Sequence, residues 1–204
     1  GTGAAVQTEA APADQLLSRR VGEVVEVRSE AEILATLDGR GELESLPFMP
    51  EMLQFCGRQF RVDKLALKLC DTIGSTGMYR MRNAVHLAET RCDGQAHGGC
   101  QAGCLIYWKE AWLSRVPADG PGPARQVPEP TAPGCTRVAL TAATRKAGTS
   151  AEERFACQAT ELLRAAPTRI PAWNARQYVL DVRSGNTGVV AAVRAIAIGV
   201  FNEY

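Results

Sequence analysis

Three cysteines within thirteen residues carry most of the chemistry that this sequence can offer. They lie in Cys92-Asp-Gly-Gln-Ala-His-Gly-Gly-Cys100-Gln-Ala-Gly-Cys104, a C-x7-C-x3-C spacing with Gly94, Gly98, Gly99 and Gly103 between the thiols. Glycine lets a backbone curl tightly enough for the three sulfurs to reach one centre, and it leaves N–H groups free to approach thiolate sulfur, an effect that stabilises the negative charge of iron–sulfur clusters. Structural zinc sites draw on close cysteine pairs, commonly in two knuckles, and this chain has no C-x-x-C. A 4Fe-4S cluster is therefore the expected cofactor and zinc the alternative. The spacing matches neither the bacterial ferredoxin run nor the plant-type one.

Such a cluster takes four protein ligands, and the segment supplies Cys92, Cys100 and Cys104. Cys157 is the expected fourth ligand, because Cys157-Gln-Ala-Thr160 echoes Cys100-Gln-Ala-Gly103 on a second predicted helix. Cys135, Cys56 and Cys70 follow in that order. Without a fourth cysteine one iron would stay open and act as a Lewis acid on a substrate oxygen. His97, in the middle of the segment, reads either as a ligand or proton donor or as a loop histidine bonded to backbone. Asp93 before Gly94 reads as turn chemistry, and His86, on a predicted strand, as structural.

Elements must position these groups. Residues 1–20 show no sustained hydrophobic period and read as a flexible lead-in. Residues 21–28 alternate as a strand, and Ser29 with Glu32 has the spacing of a capping box for a short helix over 30–36. Leu46-Pro-Phe-Met-Pro50 is an apolar, proline-punctuated loop packed across one end of a barrel. Residues 59–69 and 79–87 read as further strands. Together these predict a small SH3-like β-barrel over residues 21–90.

Residues 91–204 hold the cysteine segment and an α-rich region. Leu105, Trp108, Trp112 and Leu113 fall near a 3.6-residue repeat, which predicts a helix over 103–115. Six prolines between 117 and 133 mark a linker. Helices are predicted over 149–165, 173–183 and 189–201. The fold class is thus α+β, a small SH3-like barrel followed by a helical half, with the metal centre at their junction.

At 204 residues the chain can bury a core without metal, so a metal site is there for more than bulk. Its 23 lysines and arginines nearly cancel its 22 acidic residues, which excludes the broad basic field of most nucleic-acid binders. No apolar run is long enough to span a membrane and no signal peptide is visible, so the expected location is cytoplasmic. Seven cysteines without an export signal argue for free thiols.

Val24-Val-Glu-Val-Arg-Ser29, Leu46-Pro-Phe-Met-Pro-Glu-Met52, Cys56-Gly57, Phe60-Arg-Val62 and the run from Cys92 through Trp108-Lys-Glu-Ala-Trp112 resemble a group of uncharacterised bacterial cysteine-containing proteins. The resemblance spans roughly residues 21–115, with Phe155-Ala-Cys-Gln-Ala-Thr160 as a further point. It implies a stand-alone bacterial protein and brings no catalytic residues. The expected function is an iron–sulfur protein acting as electron carrier or cluster-dependent catalyst in a bacterial biosynthetic system, with a redox or biosynthetic partner protein or a small-molecule substrate. The alternative is a zinc-stapled or metal-free SH3-like interaction module.

Overall fold

The structure, a computed structural model, describes residues 19–71, 74–116, 134–146, 154–171 and 174–202. The lead-in over 1–18 and the linker over 117–133 lie outside the described residues. Among the described residues no helix is long and apolar enough to cross a membrane.

Strand β1 (Val24–Val27) alternates as its sequence requires, with Val25 and Val27 buried in the core. Helix α1 (Glu30–Thr36) starts at a complete capping box: Ser29 Oγ accepts the Glu32 N–H, and Glu32 Oε2 accepts the Ser29 N–H at 3.0 Å. Next comes a tight hairpin, β2 (Glu42–Leu43) and β3 (Leu46–Pro47), whose turn residues Glu44 and Ser45 both adopt positive φ. A 3-10 turn, Pro50–Phe55, follows directly.

The pattern over 59–69 divides into β4 (Gln59–Leu65) and β5 (Lys68–Asp71), and that over 79–87 into β6 (Gly77–Arg80) and β7 (Ala84–Leu87). A left-handed residue, Asn83 at φ 51°, precedes β7. Strands β8 (Trp108–Lys109) and β9 (Leu113–Arg115) flank a second 3-10 turn, Glu110–Trp112. Then come α2 (Arg137–Ala143), β10 (Arg145–Lys146), β11 (Arg154–Phe155), α3 (Gln158–Ala165), β12 (Thr168–Ile170), α4 (Ala175–Arg183) and α5 (Val189–Asn202).

The α+β class holds, but the strands form open antiparallel sheets and not a closed barrel. The main sheet has the order β8-β7-β4-β1-β9, with Val25 opposite Phe60 and Val62 opposite Leu87. Its two edge strands are sequence neighbours joined by Glu110–Trp112, yet among the described residues no ladder pairs them. A second sheet, β12-β6-β5, sets Ile170 opposite Met78 and so pairs a late strand with an early hairpin.

The helix expected over 103–115 does not form. Its backbone groups find long-range partners instead: the Glu110 N–H donates to Asn83 O at 2.8 Å, and the Tyr107 N–H to the Gln158 side chain at 2.8 Å. Strand, 3-10 turn and strand still bring Trp108 and Trp112 into one core, because the turn swings the second indole back beside the first. Each indole N–H has a hydroxyl acceptor, Thr90 for Trp108 and Thr36 for Trp112, both at 3.1 Å. The helix expected over 149–165 is shorter, since its described part begins only at Gln158.

Residues 46–55 are the centre of the core rather than a covering loop. Phe48 stands edge-on to Trp108 and Trp112, with ring centroids 6.3 and 5.1 Å apart, and Phe55 stands edge-on to Trp108 and Phe60. Aromatic edges of this kind add to the area they bury. On β7, His86 donates from Nδ1 to Ile106 O at 2.9 Å and packs its ring against Tyr107.

Two outcomes follow from this packing. Phe48→Ala opens a cavity between two tryptophans and lowers the unfolding free energy by about 3–5 kcal/mol in a denaturant titration. Burial holds the His86 imidazole below its ordinary value, so the unfolded chain takes up a proton there before the folded one does. The His86 contribution is complete above pH ~6.5 and declines as pH falls below it. Urea midpoints measured from about pH 7.5 to 5.5 will fall less steeply in His86→Gln than in the parent protein.

Candidate metal centre

The Pro50–Phe55 turn buries Met52 and Phe55, and its tight winding carries Glu51 inward with them, leaving the residue only 8% exposed. Burial of a carboxylate is costly unless a cation or strong donors meet it. The groups that meet this one come from the cysteine segment. That segment is closed at its base by the Arg91–Leu105 bridge and by the Cys92 N–H donating to Cys104 O at 2.9 Å. Its chain then crosses itself on Gly94, where φ is +71° and a Cβ would stand 2.0 Å from Cys100 O. The Gly94 carbonyl accepts the N–H groups of His97 and Gly99, and this turn aims His97 back at Cys92. Asp93 performs turn chemistry, accepting the Gln95 N–H at 3.0 Å.

Cys92, His97 and Glu51 meet in a buried cluster whose candidate ligand atoms all lie within 4.8 Å of one another. Cys92 Sγ is 3.3 Å from Glu51 Oε1 and 3.5 Å from His97 Nε2. His97 Nδ1 lies 2.9 Å from Glu51 Oε1, yet their mutual orientation does not make a hydrogen bond, and Glu51 Oε2 also has no partner. A buried polar atom without a partner costs on the order of 1–3 kcal/mol. Glu51 Oε2 and His97 Nδ1 are thus two buried polar atoms of the cluster without a partner among the described residues.

A small ion with tetrahedral preferences would complete it. With Zn–S near ~2.3 Å and Zn–N or Zn–O near ~2.0–2.2 Å, the edges between sulfur and a lighter ligand come to roughly 3.5 Å. The sulfur contacts here match that span. Thiolate plus carboxylate also balance a divalent charge, which makes burial of all three tolerable. Burial first, then the neighbouring Glu51 carboxylate, pushes the Cys92 thiol up to about 12, so ion uptake must release its proton.

The order Cys92, His97, Glu51 also has the connectivity of a nucleophile, base and orienting acid. A nucleophilic cysteine needs a depressed pKa and access, and Cys92 is buried with its thiol held protonated. The metal reading fits the group better.

Of the residues singled out from sequence, Cys92 and His97 are in this cluster. Cys100 and Cys104 are exposed on the same loop and lie outside it. Cys157 is half-buried at the N-cap of α3, near enough for its charge to raise the Cys92 thiol. Cys135 is buried, its Sγ donating to Thr136 O and its N–H to Leu34 O. Cys56 is half-buried, pushed up to about 11 mainly by burial, and Cys70 is exposed on β5. Glu51 escapes a sequence reading centred on cysteine. Its one signal is a lone charge inside the apolar run from Leu46 to Leu53.

No family model, curated protein or solved structure matches this chain.

Gly94 and Gly99 give a controlled comparison, since both have φ near +70° but only Gly94 is crowded. Gly99→Ala should cost about 1–2 kcal/mol, the strain of a side chain in left-handed backbone. Gly94→Ala must in addition displace the Cys100 backbone. It is expected to cost clearly more in chemical denaturation and to weaken metal uptake, which Gly99→Ala leaves near the parent value.

Proposed function

We propose that this protein binds a single transition-metal ion of the zinc type through Glu51, Cys92 and His97, at the junction of the cysteine loop, the Pro50–Phe55 turn and the helical half. The observation that carries the reading is the buried group of sulfur, nitrogen and oxygen donors in mutual contact, two of whose polar atoms have no protein partner. A set containing thiolate and imidazole suits zinc over the harder magnesium or calcium. The strand order and the 3-10 link between β8 and β9 support an SH3-like arrangement for the main sheet, with the ion stapling the long β3–β4 connection to the β7–β8 loop.

A second reading keeps Cys92 but places a 4Fe-4S cluster on Cys92, Cys100, Cys104 and Cys157. It is favoured by two exposed thiols on the same glycine coil, tied to Cys92 through the Cys92 N–H to Cys104 O bond. A four-iron cube holds its sulfurs farther apart than one ion does, and backbone N–H groups of the coil would offset its charge. On this reading the role is electron transfer or cluster-dependent catalysis in a bacterial biosynthetic system, with a redox partner or small substrate.

Anaerobic purification followed by metal analysis distinguishes the two. The single-ion reading expects colourless protein with one zinc per chain, and Glu51→Gln, Cys92→Ser and His97→Ala each weakening zinc affinity by more than the ~10–100-fold of an outer-shell change. Cys100→Ala and Cys104→Ala should bind as the parent does. Brown protein with iron and sulfide, bleached by either of those two substitutions, establishes the cluster. Protein that takes up neither zinc nor iron refutes both.

A further inference from the structure

Cys157 belongs to none of the contacts within the buried group, yet the chain on either side of it is fixed to that group. On its N-terminal side, the Phe155 ring lies against Gly98, where a Cβ would come within 2.9 Å of Cε2. Gly98 follows His97 directly. On its C-terminal side Gln158 is 2% exposed and fully engaged. Its Oε1 accepts the Tyr107 N–H at 2.8 Å, and its Nε2 donates to Tyr107 O at 2.9 Å and Pro47 O at 3.0 Å while lying 3.7 Å from Met52 Sδ. Met52 adjoins Glu51, and Tyr107 stands three residues past Cys104. The short segment from Phe155 to Gln158 is thus clamped beside His97 at one end and beside Glu51 at the other, with Cys157 between the clamps.

We propose that Cys157 is the fourth ligand of the ion held by Glu51, Cys92 and His97, so that the metal joins the start of α3 to the cysteine loop and the Pro50–Phe55 turn. This rests on the single-ion reading above. The unpartnered Glu51 Oε2, on a side chain only 2% exposed, points to a ligand in the group independently of Cys157. Cys157 is the N-cap of the eight-residue helix α3, the position at which that helix meets the cysteine loop. Its sulfur lies outside the group whose ligand atoms are within 4.8 Å of one another, so ligation by Cys157 requires a rotation about χ1, a change that leaves the Gln158 anchor in place. Coordination releases the Cys157 proton to solvent. A set of two thiolates, one imidazole and one carboxylate closes the ion against substrate, which makes the site a staple for α3 rather than an open catalytic position.

Cobalt(II) loaded into the full chain in place of zinc tests this, because sulfur-to-cobalt charge-transfer absorption scales with the number of thiolates. The parent protein should show the intensity of two thiolates with the visible bands of a tetrahedral ion. Cys157→Ser and Cys92→Ser should each halve the charge-transfer intensity. Gln158→Ala keeps both thiols and should keep the parent spectrum while lowering cobalt affinity. A Cys157→Ser spectrum identical to the parent overturns the inference and leaves the three-ligand site standing. Absence of cobalt binding in the parent overturns the underlying site itself. Should Cys157→Ser fail to fold, alkylation of the parent protein decides the matter. Zinc must protect the half-buried Cys157 from iodoacetamide while the exposed Cys70 reacts with or without it, and equal labelling of Cys157 under both conditions rejects the assignment.

Discussion

Glu51 is a carboxylate carried into the interior by a turn that cannot let it out, and the construction around it answers that constraint. Its neighbours Met52 and Phe55 are buried, Pro50 starts the turn, and Phe48 is wedged between two tryptophans a few residues earlier. Moving the carboxylate to solvent would pull on that whole aromatic cluster. No lysine or arginine pairs with it among the described residues; the basic side chain beside it is His97, with Nδ1 at 2.9 Å. A bound cation is the simplest way to make such burial tolerable.

The other elements can be understood as devices for bringing two more donors to that point. The Arg91–Leu105 bridge and the Gly94 crossing fold the cysteine loop so that Cys92 and His97, five residues apart, face the same carboxylate. Trp108 and Trp112 fix the far end of that loop to the sheet through buried rings and satisfied indole N–H groups. Gln158 then ties the end of the loop to β3 and α3 through three hydrogen bonds at 2.8–3.0 Å. One buried amide side chain couples the two halves of the chain beside the proposed ion, and the proposed ion would reinforce that link.

Where local chemistry dominates, the structure was legible in the residues. The Ser29 to Glu32 capping box marks α1 to the residue, valine alternation marks β1, and the apolar stretch from Val189 gives α5. Legibility failed over 103–115, because a helical repeat of large side chains is also what strand, turn and strand produce when a 3-10 turn returns the second tryptophan to the core. Long-range bonds decide between the two, to Asn83 and Gln158 and along the ladders to β7 and β1, and no local window contains them. The closed barrel failed for a similar reason: β8 and β9 are two and three residues long and meet through a turn rather than a ladder.

The site divides the same way. Cys92 and His97 stand out by residue type and glycine spacing. Glu51 lies forty-one residues away from Cys92, and only the tertiary fold brings it to the sulfur. Cys100 and Cys104, equal to Cys92 in the sequence pattern, are set apart by exposure.

The most direct measurement is X-ray absorption fine structure at the zinc edge of the metal-loaded protein. The proposed site requires a mixed coordination shell, with sulfur at about 2.3 Å and nitrogen or oxygen at about 2.0–2.2 Å. A shell of sulfur alone, a shell lacking sulfur, or no specifically bound zinc would contradict it.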